Sequence, residues 1–246
     1  MNWQIEWLDI SLSTQSELKS LYQKNKADSG RVLATLSQTA GFGRKKRAWI
    51  SPVGNLSCSF IFPTKRIDKA YQYNLLAALV LCRCLENLDT RLNCQIKWPN
   101  DVWHDQKKLA GILSECVSDR HVLLGLGLNL NCCAKDFPDD LKSNIQTVQD
   151  VVGGPVSAKF LLENFLSLFS EAILAFERLE LKDFLPEIRQ RLQFQNQNVF
   201  LSESDKMIVA KGKLVGLDDS GLLILQNEAH QLTKHISGDL SLFCDQ

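Results

Sequence analysis

Helical and strand-like hydrophobic periods succeed one another along the chain and divide it into two unequal parts. Over residues 14–27, Leu18, Leu21 and Tyr22 recur at three- and four-residue steps, which predicts an amphipathic helix. Residues 31–36 are apolar and β-prone enough for a strand, and 55–62 read as a second. A helix is expected over 68–88, with Leu75, Leu76, Leu79 and Cys82 among its apolar positions. Strand-like runs follow at 94–98, 108–117 and 121–131, with turns expected at Asn100-Asp101 and Ser118-Asp119. Gly153-Gly154-Pro155 interrupts the chain before Ser157, an expected N-cap. The helix after it sets Leu162, Phe165, Leu166, Phe169 and Ile173 on one face, and a further helix is expected over 181–192.

Beyond residue 192 the pattern changes. Residues 193–198 are rich in Gln and Asn, as a linker is, and the rest reads as short strands at 198–201, 207–217, 222–226 and 240–243. Asp218-Asp219-Ser220-Gly221 is a hairpin signal. The chain is therefore expected to be α+β, with a mixed sheet and helices over residues 1–194 and a small all-β domain over 195–246. About fifty residues alone bury too little surface for a robust fold, so the second part should dock on the first.

Composition narrows the function. The 246 residues carry 28 Lys plus Arg and 28 Asp plus Glu, a net charge of zero that argues against a bulk nucleic-acid binder. The longest apolar run, Leu75 to Cys82, falls far short of the roughly 20 residues of a membrane span. Glu6 and Asp9 near the start argue against a signal peptide, so a cytoplasmic protein is expected. Eight cysteines contain no Cys-x-x-Cys pair and sit mostly among apolar neighbours, which reads as free thiols in a reducing compartment. The four histidines lack metal-ligand spacing, so no resident metal site is expected.

Four segments could carry chemistry. In the first, Arg44-Lys45-Lys46-Arg47 follows Gly41 and Gly43 in a loop whose like charges should hold it open until an anion arrives. It is not a phosphate-binding P-loop, because the Gly-Lys-Ser/Thr ending is absent. The second, Lys97-Trp98-Pro99-Asn100-Asp101, presents an amide and a carboxylate at the end of a strand. The third, Lys108-Leu109-Ala110-Gly111, puts a small residue and a glycine in a strand just after a lysine, a mark of close approach by a ligand or another backbone. The fourth, Gly125-x-Gly127-x-Asn129-x-Asn131, is not a dinucleotide fingerprint, and its two asparagines should share one side of a strand.

Taken in order and spacing, these segments resemble biotin–protein ligases. The resemblance rests on Ser13-Thr14, on Gln38-x-x-Gly41-x-Gly43-Arg44-x-x-Arg47-x-Trp49, on Lys97-Trp98-Pro99-Asn100-Asp101, on Lys108-Leu109-Ala110-Gly111-Ile112-Leu113 and on Gly125-x-Gly127-x-Asn129-x-Asn131. Ile236-Ser237-Gly238-Asp239-Leu240-Ser241-Leu242 is similar to the closing strand of that family. The resemblance implies a catalytic domain like that of class II synthetases followed by a small C-terminal β-barrel. It implies activation of biotin by ATP and Mg²⁺ to biotinoyl-5′-AMP, then transfer to one lysine of a biotin carboxyl carrier protein, the acetyl-CoA carboxylase subunit. It implies a monomer or homodimer, with no DNA and no membrane among its partners.

By the same resemblance, Lys108, Arg44 and Asp101 are the catalytic set. Lys108 is the lysine beside the reacting carboxylate and α-phosphate, Asp101 orients the acceptor lysine, and Arg44 and Arg47 close over the adenylate. Ser13, Thr14 and Gln38 are implied to hold the biotin ring, and Gly111 to let the ligand pass close to the backbone. Gly41, Gly43, Trp49, Asn129 and Asn131 complete the implied binding set. The chain departs from the family pattern in three ways. Phe42 replaces an arginine, Gln15 replaces an asparagine, and the catalytic pattern begins within the first fifteen residues, so a repressor role is not expected. Competing readings are a lipoate–protein ligase, a non-catalytic biotin- or protein-binding module, and RNA binding by the cationic loop.

Overall fold

A computed structural model describes residues 1–204 and 207–242, and the expected strand end at Phe243, together with Cys244, lies outside them. The chain runs β1 (Gln4–Leu8), α1 (Thr14–Gln23), β2 (Arg31–Thr35), β3 (Leu56–Pro63), α2 (Gln72–Leu88), β4 (Gln95–Lys97), β5 (Asp101–His104), β6 (Lys107–Cys116) and β7 (His121–Leu128). Two short helices, α3 (Asp139–Lys142) and α4 (Val148–Val152), lead to the long α5 (Ala158–Leu179) and to α6 (Leu185–Gln190). The remainder is β8 (Asn198–Ser204), β9 (Met207–Leu217), β10 (Leu223–Gln226), β11 (Leu232–His235) and β12 (Asp239–Leu242).

β1 to β7 form one mixed sheet in the order β1-β2-β3-β7-β6-β5-β4, with β1 and β2 parallel and the other neighbours antiparallel. Strand alternation decides what each face of this sheet does. Leu56, Cys58, Phe60 and Phe62 of β3 and Val122, Leu124, Leu126 and Leu128 of β7 point into the main core with α2 and α5. Phe60 there packs edge-on against Phe165 and Phe169 of α5. The other face is divided. Ile61 and Leu123 meet Leu18 of α1 in a second small core, Ser59 and Gly125 lie under the first turn of that helix, and Ser57 and Gly127 opposite each other extend beyond it. A helix that covers half of a sheet face leaves a trough on the other half. Ser13 sets the start of α1 there, its hydroxyl accepting from the Ser16 N–H at 3.3 Å.

β8 to β12 form a five-stranded antiparallel sheet in the order β11-β10-β9-β8-β12. Val199, Leu201, Leu214, Leu223 and Leu240 belong to the same buried cluster as the main core. The Trp98 indole, in the turn after β4, donates to the Gly221 carbonyl at 3.1 Å, and Arg189 of α6 donates to the Leu217 carbonyl at 3.0 Å, so hydrogen bonds tie the second sheet to the first part of the chain. No helix among the described residues is long and apolar enough to cross a membrane.

The structure departs from the periodic reading at its short elements. β1, β5, the largely exposed β11 and the short helices α3 and α4 are absent from that reading, Asp101 of the expected turn opens β5, and α2 begins at Gln72 rather than at 68. The helix expected over 181–192 is instead a 3₁₀ turn at Leu181–Asp183 followed by α6. Pro186 in the first turn of α6 explains the break, because it restricts Leu185 and offers no N–H to an earlier carbonyl.

Candidate functional site

The trough opens into a cavity of about 420 Å³, which reaches from Ser13 and Thr14 at the start of α1 to Asp239 on β12. Its inner end is polar. Thr14 and Ser59 share a hydroxyl–hydroxyl hydrogen bond at 2.9 Å, Ser59 donates to Gln15 Oε1 at 3.0 Å, and the Thr14 N–H donates to Gln38 Oε1 at 3.0 Å. Ser57 Oγ is buried in the cavity wall without a hydrogen-bond partner.

Glycines keep the trough open. A Cβ on Gly125 would lie 2.6 Å from Gln15 Oε1, and one on Gly127 would lie 2.5 Å from the Trp49 ring. Gly111, paired with Gly127 across β6 and β7, also faces Trp49, at 3.1 Å from its would-be Cβ. The indole of Trp49 therefore rests on bare backbone and roofs the middle of the cavity, its Nε1 buried and unpartnered. In this structure the space at Gly111 is taken by Trp49 and the stem of Lys108.

The outer half is charged. Lys108 Nζ and Asp101 Oδ2 form an ion pair at 2.9 Å, and the Lys108 ammonium lies 5.4 Å from the Trp49 ring. Lys97 is largely buried with its ammonium 4.3 Å from the Trp103 ring. Burial pushes the Lys97 pKa below the usual lysine value, against the pull of Asp101. Arg44, Arg47, Lys97 and Lys108 line the cavity against only two carboxylates, Asp101 and Asp239, so it retains an excess of positive charge. Burial lowers the Arg44 pKa more than Asp239 and Asp101 raise it.

The cationic loop is closed, contrary to the expectation that like charges keep it open. The Trp49 N–H donates to the Gly41 carbonyl at 2.9 Å and the Gly43 N–H to the Arg47 carbonyl at 2.8 Å, forming a short hairpin. The reason is a counter-ion supplied by the chain itself. Asp239 holds Arg44 at 3.4 Å, Lys45 at 3.1 Å and Arg47 at 2.8 Å, while Lys46 sits over the Phe42 ring at 4.0 Å. Arg44 also donates to the Gly238 carbonyl at 2.9 Å and to Asn100 Oδ1 at 3.3 Å. Burial works against the charge on Asp239, but hydrogen bonds from Lys45 and Arg47 and the fields of Arg47 and Arg44 outweigh it and hold the carboxyl below its usual range.

Of the residues singled out in the sequence, Ser13, Thr14, Gln38, Gly43, Arg44, Arg47, Trp49, Asp101, Lys108 and Gly111 line this one cavity. Gly41 stands behind it, against the Gln38 amide. Asn129 and Asn131 are elsewhere. The Asn129 amide bonds Asn55 at 3.2 Å and the Lys108 carbonyl at 3.1 Å, and Asn131 bonds the backbone of Val156 at 2.7 and 2.8 Å. Both lie past the end of β7, so the alternation that would have shared one side does not apply, and their polar atoms are spent on loop structure. Asp239, Lys97, Ser57 and Ser59 are cavity residues that sequence reasoning did not select. The serines had a signal: Ser57-x-Ser59 lies at strand period, facing Gly127 and Gly125. Asp239 had none locally, because its importance comes from a loop 192 residues away.

Known proteins are similar to this chain over most of its length. Residues 8–129 match the model of the biotin/lipoate A/B protein ligase family. The chain is 30% identical to the bifunctional ligase/repressor BirA of Bacillus subtilis over 247 residues, covering 95% of this chain and 72% of that protein. It is 31% identical to the biotin–[acetyl-CoA-carboxylase] ligase of Paracoccus denitrificans over 210 residues, covering 78% of this chain and 82% of that protein. Among solved structures, the biotin protein ligase of Aquifex aeolicus in complex with biotin and ATP superposes with a TM-score of 0.86, at 29% identity, covering 98% of this chain and 99% of that one.

Proposed function

The chain belongs to the biotin/lipoate A/B protein ligase family, and from that premise we propose that its cavity is where biotin and ATP become biotinoyl-5′-AMP and where the biotinyl group passes to a carrier lysine. The observation that carries this reading is the polarity of the cavity, hydroxyls and amides at its inner end and excess cations at its outer end. A ureido ring offers one carbonyl acceptor and two N–H donors, which suit the inner end. The dithiolane of lipoate offers neither, and it would leave Ser57 and the Gln38 amide without partners at a cost of about 1–3 kcal/mol each. Biotin is therefore the acid this chain activates.

In the first step a biotin carboxylate oxygen attacks the α-phosphorus, forming a carboxyl–phosphate bond as the bond to pyrophosphate breaks. Two anions must meet, and Lys108 with Arg44 and Arg47 offsets their repulsion where charge accumulates. Mg²⁺ arriving with the nucleotide would add to the charge neutralisation that Lys108, Arg44 and Arg47 supply at the phosphates. In the second step a lysine amine attacks the acyl carbon and AMP leaves. Asp101, held by Lys108, orients the incoming ammonium group, which gives one proton to Asp101 or to water before the neutral amine attacks and a second to water as the amide forms. Trp49 and the closed loop keep water from the mixed anhydride. The acceptor is the biotin carboxyl carrier protein in the cytoplasm. Incubation of the protein with biotin, MgATP and a biotin carrier domain should add one biotinyl group at a single lysine, read by mass spectrometry. A carrier left unmodified while a known ligase labels it would favour the non-catalytic alternative.

A further inference from the structure

Glu115 lies on β6 at the far side of the cavity floor and is not part of the set described above. One of its carboxylate oxygens accepts from Lys19 Nζ at 3.1 Å and the other from Gln15 Nε2 at 2.9 Å. We propose that Glu115, acting through Gln15, sets the direction of the hydrogen-bond chain beneath the bound acid and so makes the site selective for a ureido head group.

An ionised carboxylate can only accept, so Gln15 must turn its NH₂ toward Glu115 and its Oε1 toward Ser59. Ser59 then spends its one proton on Gln15, at 3.0 Å, and must accept from Thr14, at 2.9 Å. The Thr14 hydroxyl also stands 3.3 Å from Gln38 Oε1, but its single proton goes to Ser59 at the shorter 2.9 Å, and Gln38 Oε1 is served by the Thr14 N–H at 3.0 Å. The Thr14 N–H, which can only donate, fixes the Gln38 NH₂ as a donor, and the chain from Glu115 decides the rest, leaving the Thr14 oxygen with a lone pair to accept. The floor presents donor and acceptor in an order that matches the C=O and N–H of a cyclic urea. Every link from Gln15 to Thr14 is buried, Gln15 at 5%, Ser59 at 0% and Thr14 at 2% exposure, so no solvent can substitute for a misdirected bond. Gln15 is the residue that departs from the family's usual asparagine. Its extra methylene is what lets the amide span from Ser59 to Glu115. With the Lys19 and Gln15 hydrogen bonds opposing the effect of burial, the Glu115 carboxyl stays below the usual glutamate range and remains an acceptor.

The inference rests on the cavity being the biotin site, and the test separates the two. Glu115→Gln keeps the shape but adds a donor, so Gln15 is free to flip and the chain loses its direction. Pyrophosphate exchange by this variant should show the KM for biotin and for desthiobiotin raised about 10-fold or more. The KM for ATP, kcat, and any exchange with octanoate, which has no ureido ring, should stay at the wild-type level. Gln15→Leu should raise the biotin KM similarly, and the double variant should be no worse than the poorer single one, because Glu115 acts only through Gln15. An unchanged biotin KM in Glu115→Gln, additive effects in the double variant, or equal losses with octanoate and ATP would each overturn the assignment. Wild-type protein inactive with biotin would instead overturn the reading of the site.

Discussion

Asp239→Asn removes the charge on which the cationic loop is folded and keeps the shape of the side chain. The carboxylate meets cations at 3.4, 3.1 and 2.8 Å, and at an effective dielectric of about 20 each such pair is worth roughly 5 kcal/mol before solvent is counted. The Lys45 and Arg47 side chains are 37% and 49% exposed, so screening leaves each of those pairs within about 0.2–1 kcal/mol, with Arg44 contributing somewhat more from its 17% exposure. A total near 2 kcal/mol changes the closing equilibrium of the loop about 30-fold. Amide hydrogen exchange across residues 41–54 of the ligand-free protein reads this directly. Exchange should quicken by about that factor in Asp239→Asn, and biotin with ATP should restore protection as phosphate replaces the lost anion. Acid should act on the wild type in the same way. The folded Asp239 carboxyl is held below its ordinary pKa, so its contribution is complete above about pH 4 and is lost as pH falls through the folded value. After correction for intrinsic rates, protection should drop below about pH 4 in the wild type only. Equal exchange in the two proteins at pH 7 would refute the view that Asp239 holds the loop.

Lys108→Ala should lower biotin-dependent adenylate formation by about 100-fold or more while the thermal midpoint shifts little, and near-normal turnover would remove Lys108 from the chemistry. Arg44→Gly should let the adenylate escape, seen as biotinylation of unrelated lysines in a bystander protein; carrier-only labelling would deny Arg44 a retaining role. Gly127→Ala places a methyl 2.5 Å from Trp49, so it should shift the tryptophan emission and cost about 1–3 kcal/mol of stability in urea unfolding. An unperturbed spectrum would mean that Trp49 does not depend on the bare backbone beneath it.

The elements of the main core were legible because their periods are strong. Leu162, Phe165, Leu166, Phe169 and Ile173 on α5 reach the buried face their spacing predicts, and β3 and β7 fall within the runs read as strands. What escaped was structure whose cause lies far away in sequence. β1 pairs only with β2 and shows little burial, so its apolar pattern is thin. The loop over 41–54 looked unstable because its repulsion is local, whereas its counter-ion is remote. Asn129 and Asn131 looked like binding residues because polar groups near a glycine-rich strand suggest a ligand; β7 ends one residue before the first of them. The family resemblance implied Lys108, Arg44, Arg47, Gly43 and Gly111, all of which line the cavity, whereas the strand pairing was needed to place Ser57 and Ser59 opposite Gly127 and Gly125 across the same trough.

The central claim is that this cavity activates biotin, and isotope exchange between pyrophosphate and ATP tests it with biotin and lipoate side by side. The account predicts exchange that depends on biotin and is absent with lipoate. Exchange supported by lipoate and not by biotin would contradict it.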